Sequence, residues 1–205
     1  MTRSRAVLLA ALPRCDQRRQ AQGKGAAVSR YTYHPNDDEA AVAGLIAKRR
    51  NTLNFGGSNL PGGETATVLD RYVQHYRAAL AEVTVARIFN LCWTGCGKGS
   101  DGAFDVGSWL EVRSVAQETH GLLVRSKDLA KGEETPYVLV LVTNDRMCRC
   151  VGWSTVRHVK AAGWLKDPQS DSPCWILPAA KLSPMSNLEF WHSLEQREMF
   201  QEARV

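Results

Sequence analysis

The stretch FDVGSWLEVRS, residues 104–114, decides how this chain is read. Asp105 opens it, Gly107-Ser108 supplies a turn, and an apolar strand carrying Glu111 and Arg113 follows. Strand side chains alternate between faces, so Leu110 and Val112 point one way while Glu111 and Arg113 point the other. The stretch therefore aims a carboxylate and a guanidinium side by side, a few residues after another carboxylate.

The segments on either side supply the rest of a domain. Asn36 followed by DDEAAVAGLIAKRR predicts a capped helix, with acids in the first turn and bases in the last. NFGGSNLPGG, residues 54–63, reads as a loop. From Glu64 to about Asn90 a helical period runs through Leu69, Tyr72, Val73, Tyr76, Leu80, Val83 and Phe89. The glycines of WTGCGKGSDG, residues 93–102, break the chain before the stretch above.

After it come the strand-like runs WLEVRSV, GLLVRS, PYVLVLVT and MCRCVGWS. The unbroken apolar run YVLVLV suits a central strand covered on both faces. Asn144-Asp145 marks a hairpin turn. TVRHVKAAGWL predicts a short helix, CWILP a last strand and NLEFWHSLEQREMFQ a C-terminal helix. The fold class expected is α/β (α+β): a four- to five-stranded mixed sheet flanked by helices.

Within the long helix, Glu82 has Ala78 and Ala79 one turn before it and Val85 and Ala86 one turn after. A carboxylate on such a buried stripe is costly unless something pairs with it. Glu82, Asp105 and Glu111 are thus candidates to converge. Clustered carboxylates call for a cation, and hard ions such as Mg²⁺ prefer oxygen ligands. A guanidinium beside such a site can bind phosphate or its developing charge.

Glu82 on a helix, Asp105, a turn, and Glu111-Val112-Arg113 on the next strand resemble the PD-(D/E)XK nuclease superfamily. More narrowly, the series AEVTVARIF, DVGSWLEVRS, LLVRSKD, YVLVLVT, VGWS and WLKDP resembles uncharacterised bacteriophage proteins of that fold, over about residues 78–185. The resemblance implies a restriction-endonuclease-like core and a Mg²⁺- or Mn²⁺-dependent phosphodiesterase acting on DNA, encoded by a phage and working in the cytoplasm of its bacterial host. Asp105 and Glu111 match the two motif acids, and Glu82 matches the helical acid of many members; all three are implied metal ligands. Arg113 stands where the motif has lysine. Arginine stays charged and cannot act as a base, so its implied role is to orient phosphate or stabilise the transition state.

Lys98, in the glycine-rich loop, is a second candidate phosphate contact, although the loop lacks the P-loop pattern. His75 and His120 read as surface histidines, though either could assist proton transfer, and Trp153, Trp164, Trp175 and Trp191 read as core or interface residues. Lys48-Arg49-Arg50 suits a helix C-terminus and could also contact DNA. The alternative is a catalytically silent domain on the same fold, binding nucleic acid or a host protein in an anti-defence or recombination role. Arg113 favours it; three acids on one site favour the enzyme.

Totals narrow the classes further. The chain has 205 residues and a net charge of +5. Arg3, Arg5, Arg14, Arg18, Arg19 and Lys24 face only Asp16 in residues 1–27; removing these six bases and one acid from totals of 26 and 21 leaves 20 of each. The body is neutral, so any phosphate-binding surface on it is a local patch. Residues 1–30 are read as a disordered basic tail ahead of a single domain, 31–205. Its apolar run AVLLAAL is short for a signal peptide, and translation from Val28 is a further expectation. No run reaches the length of a membrane span. The spacings of Cys92 and Cys96, and of Cys148 and Cys150, match no strong zinc pattern, so reduced cysteines are expected. DNA is the expected partner, and a homodimer is compatible with the chain.

Overall fold

A computed structural model describes residues 30–53, 67–93, 95, 104–166 and 173–202. Residues 1–29 of the basic tail, the 54–63 loop and Lys98 lie outside the described residues.

A short strand β1 (Thr32–Tyr33) leads into helix α1 (Asp37–Leu53). Asn36 caps α1: its Oδ1 accepts from the Glu39 N–H at 2.9 Å, and Glu39 Oε2 accepts from the Asn36 N–H at 2.9 Å. Helix α2 (Val68–Phe89) begins later than the periodicity suggested, because Thr67 and Asp70 form a capping box there. It ends where Asn90 turns left-handed at φ 53°.

Among the described residues four strands form the main sheet, in the order β1, β5 (Cys148–Thr155), β4 (Pro136–Val142), β2 (Glu111–Val115). Strand β2 runs parallel to β4, and β5 is antiparallel to both β4 and β1. Every residue of β4 is buried, as its continuous apolar run requires. Val112, Val138, Val140, Val142, Cys148 and Cys150 join one core with Ala79, Leu80, Ala86 and helix α4 (Met185–Glu202). Tyr137 and Leu139 enter a second core on the other face.

That second core corrects one expectation. The GLLVRS strand, β3 (Leu122–Arg125), does not join the main sheet; it pairs with β7 (Cys174–Leu177), which also pairs with β6 (Trp164–Lys166). Leu122, Val124 and Leu177 of this small sheet pack with Val156 and Val159 of helix α3 (Val156–Ala162) against Tyr137 and Leu139. The GWL segment, read as the end of a helix, is instead strand β6, because α3 stops at Gly163. An added Cβ at Gly163 would lie 2.8 Å from the Ile176 carbonyl oxygen. The result is a mixed α/β chain with a mixed four-stranded sheet and a three-stranded sheet, flanked by helices.

Candidate active site

The turn in the diagnostic stretch returns Asp105 to the strand. Gly107 takes φ +60°, and its N–H donates to the Cys92 carbonyl at 2.8 Å. Val106 and Leu110 exchange backbone hydrogen bonds at 3.1 and 3.3 Å, closing the loop. Asp105 Oδ2 then accepts the Val112 N–H at 3.0 Å.

In the parallel register Glu111 stands opposite Tyr137 and Arg113 opposite Leu139. Alternation therefore puts Glu111 and Arg113 on the second-core face, with Val112 on the α2 face. The Arg113 Cζ sits 4.8 Å from the Tyr137 ring centroid, which agrees. Arg113 Nη1 lies 3.7 Å from Asp105 Oδ2 and 3.5 Å from Glu111 Oε2. Asp105 and Glu111 thus converge on one nitrogen.

Two residues that the sequence reading did not single out complete the group. Asp128 is buried, and its Oδ2 accepts from Arg113 Nη2 at 2.8 Å and from the Arg125 N–H at 2.9 Å. Lys131 pairs its Nζ with Glu111 Oε1, and that ammonium lies 5.4 Å from the Phe104 ring centroid. Both belong to a 3-10 helix, Ser126–Lys131, that directly follows β3. The available signal was an acid three residues after Arg125 at the end of a strand, a pattern for capping a short helix.

Burial shapes the electrostatics. Glu111 is 2% exposed. Burial, reinforced by the charge of Asp105, pushes its pKa up to about 7, against the pull of Lys131 and Arg113. Burial opposes the charge on Arg113, yet Asp128, Asp105, Tyr137 and Glu111 together raise its pKa above the ordinary value.

Glu82, expected with Asp105 and Glu111 as a metal ligand, meets partners within the protein. It is buried on α2. Its oxygens accept from Arg50 Nη1 and Nη2, each at 2.8 Å, and from Trp93 Nε1 at 2.9 Å. Burial raises its pKa, the Arg50 fork opposes this, and the charge of Asp105 adds to the rise. Glu82 therefore feels Asp105, while its immediate partner is Arg50. Arg50, in the last turn of α1 as its place in Lys48-Arg49-Arg50 suggested, is buried, at 7% exposed.

Among the described residues, no three acidic, histidine or cysteine side chains come together as a metal cage. Asp105 and Glu111 still suit a cation that takes one or two carboxylates and draws its other ligands from water and phosphate, which is the habit of Mg²⁺. His120 is exposed, and His75 lies on α2 half-buried. Trp153 and Trp191 pack against the first core and Trp175 against the second, whereas Trp164 is 52% exposed. Cys148 and Cys150 are buried without a disulfide, their pKa values pushed up by burial to about 11 and about 12. No helix among the described residues is long and apolar enough to cross a membrane.

Comparison with known proteins found no matching family, no matching curated protein and no matching solved structure.

Proposed function

We propose that the chain is a metal-dependent phosphodiesterase acting on DNA, built on a restriction-endonuclease-like core and encoded by a bacteriophage. The observation that carries this reading is the convergence of Asp105 and Glu111 on Arg113 Nη1 at the end of an edge strand. Glu111, whose pKa burial raises first and the charge of Asp105 raises further, is a carboxylate that a divalent cation would relieve.

Asp105 and Glu111 are the residues that would hold Mg²⁺ or Mn²⁺. When bound, such an ion lowers the pKa of a coordinated water and takes up charge at phosphate oxygens. The side chains do the positioning. Arg113 fixes both acids and ties them to Asp128. Glu82, expected as a third ligand, is held by Arg50 and Trp93 and feels the charge of Asp105.

The alternative is a silent domain that binds nucleic acid or a host protein. One observation favours it: Glu82 and Glu111 each already meet a cation, Arg50 and Lys131. Digestion of linear, circular and single-stranded DNA with Mg²⁺ or Mn²⁺ separates the two. The enzyme reading expects metal-dependent cutting that Glu111→Gln and Asp105→Asn both abolish with the fold intact. Wild-type protein that cuts nothing with either metal, and binds its partners unchanged in Glu111→Gln, supports the silent domain.

A further inference from the structure

Phosphodiester cleavage needs a positive group that can reach the scissile phosphate. Arg113 is poorly placed to provide it. Its Nη2 is held by Asp128 at 2.8 Å, its Nη1 donates to the Val112 carbonyl at 3.2 Å, and its plane lies over Tyr137. Turning Arg113 toward a substrate would strip the buried Asp128 of its cation, a costly exchange.

Lys131 is built differently. Its root is fixed: the backbone carbonyl accepts from the Thr135 hydroxyl at 2.7 Å, and the chain leaves through Gly132 at φ +104°. Its tip is an ammonium on a four-carbon stem, which reorients by bond rotation alone. That tip rests on Glu111, beside the face of Phe104.

On the phosphodiesterase reading above, we infer that Lys131 is a catalytic residue whose ammonium passes from Glu111 to a non-bridging oxygen of the scissile phosphate when DNA binds. The move leaves a Glu111 oxygen available for a divalent cation. It also puts a positive charge where negative charge builds up. Lys131 keeps all three protons throughout. The water oxygen forms the new P–O bond, the bond to the leaving sugar oxygen breaks, and a proton from the water reaches that leaving oxygen through solvent. The cation supplied by the motif strand is then a scaffold, and the working cation comes from the 3-10 helix twenty positions after Glu111.

The test assays Lys131→Met and Lys131→Arg on plasmid DNA with Mn²⁺, beside Mn²⁺ binding by electron paramagnetic resonance and melting by circular dichroism. Lys131→Met should lose about 10²-fold in turnover, while binding Mn²⁺ at least as tightly because Glu111 has lost a competing partner. Lys131→Arg should recover part of the loss, as charge without the compact ammonium. A folded Lys131→Met that cuts at the wild-type rate overturns the inference and leaves the phosphodiesterase reading standing. If Lys131→Met melts early, Lys131→Arg decides: turnover should fall about tenfold with KM little changed, and an unchanged turnover overturns the role. Wild-type protein that neither binds Mn²⁺ nor cuts overturns both readings together.

Discussion

Arg50 near the end of α1 grips Glu82 of α2 through both carboxylate oxygens, each at 2.8 Å, with Trp93 donating a third hydrogen bond at 2.9 Å. A two-pronged, charge-assisted pair of this kind is costly to break from one side, because the abandoned charge stays buried. Arg50→Ala or Glu82→Ala should each lower unfolding free energy by about 3–5 kcal/mol. The double change Arg50→Met, Glu82→Leu should cost much less than the sum of the single changes. Urea denaturation of the three variants checks this, and additive losses would count against the pair.

Glu111 makes stability depend on pH. Its pKa rises from the usual 4.5 to about 7 on folding, so the folded chain holds this proton more tightly than the unfolded one. The resulting stabilisation is full below about pH 4.5 and is lost as pH rises through about 7. Glu111→Gln removes that dependence. Relative to wild type, it should gain on the order of 3 kcal/mol between pH 4.5 and pH 8. Melting temperatures across this window give the measurement; parallel wild-type and variant profiles would contradict it.

Arg113→Lys is the informative conservative change. One ammonium cannot serve Asp128 at 2.8 Å and still face both Asp105 and Glu111 as the guanidinium fork does. The expected loss is about 1–3 kcal/mol of stability, the penalty for an under-satisfied buried carboxylate. It should be visible as a lowered urea midpoint with unchanged slope.

Two glycines should respond unequally to alanine. At Gly107 an added Cβ would find its nearest neighbour, Leu91, at 3.6 Å, so only the left-handed backbone at φ +60° resists. That costs about 1 kcal/mol. At Gly152 the same atom would lie 2.7 Å from Leu182 Cβ and 2.9 Å from the Ser183 carbonyl, and the segment across β5 would have to shift. Gly152→Ala should therefore be the more damaging, by about 2 kcal/mol or more. Thermal melts of the two variants rank them.

What the sequence announced was local or periodic. Asn36 and its following acids marked the start of α1, and the apolar run 137–142 marked a strand buried on both faces. The Gly107 turn tied Asp105 to the Glu111 strand within a few residues, so that contact was legible too. What escaped was set by distant partners. Nothing in LLVRS distinguishes a strand of the main sheet from one that pairs with residues 174–177, since both choices bury Leu122 and Val124. Arg50 looked like a base at a helix end because its acid lies 32 positions away on another helix. Lys131 and Asp128 gave only a capping pattern, and their meeting with Glu111 and Arg113 exists only once β3 has left the main sheet.

The Asp105 carboxylate also does something unrelated to chemistry. Among the described residues strand β2 is outermost in its sheet, and a side left without a strand partner would offer backbone donors to any passing strand. By accepting the Val112 N–H at 3.0 Å, Asp105 seals one of those donors within the same chain. The residue that would hold a metal thus also guards the border of the sheet against self-association. Replacing Asp105 with alanine would open that border, so aggregation in such a variant would have its origin in the exposed strand and not in a damaged core.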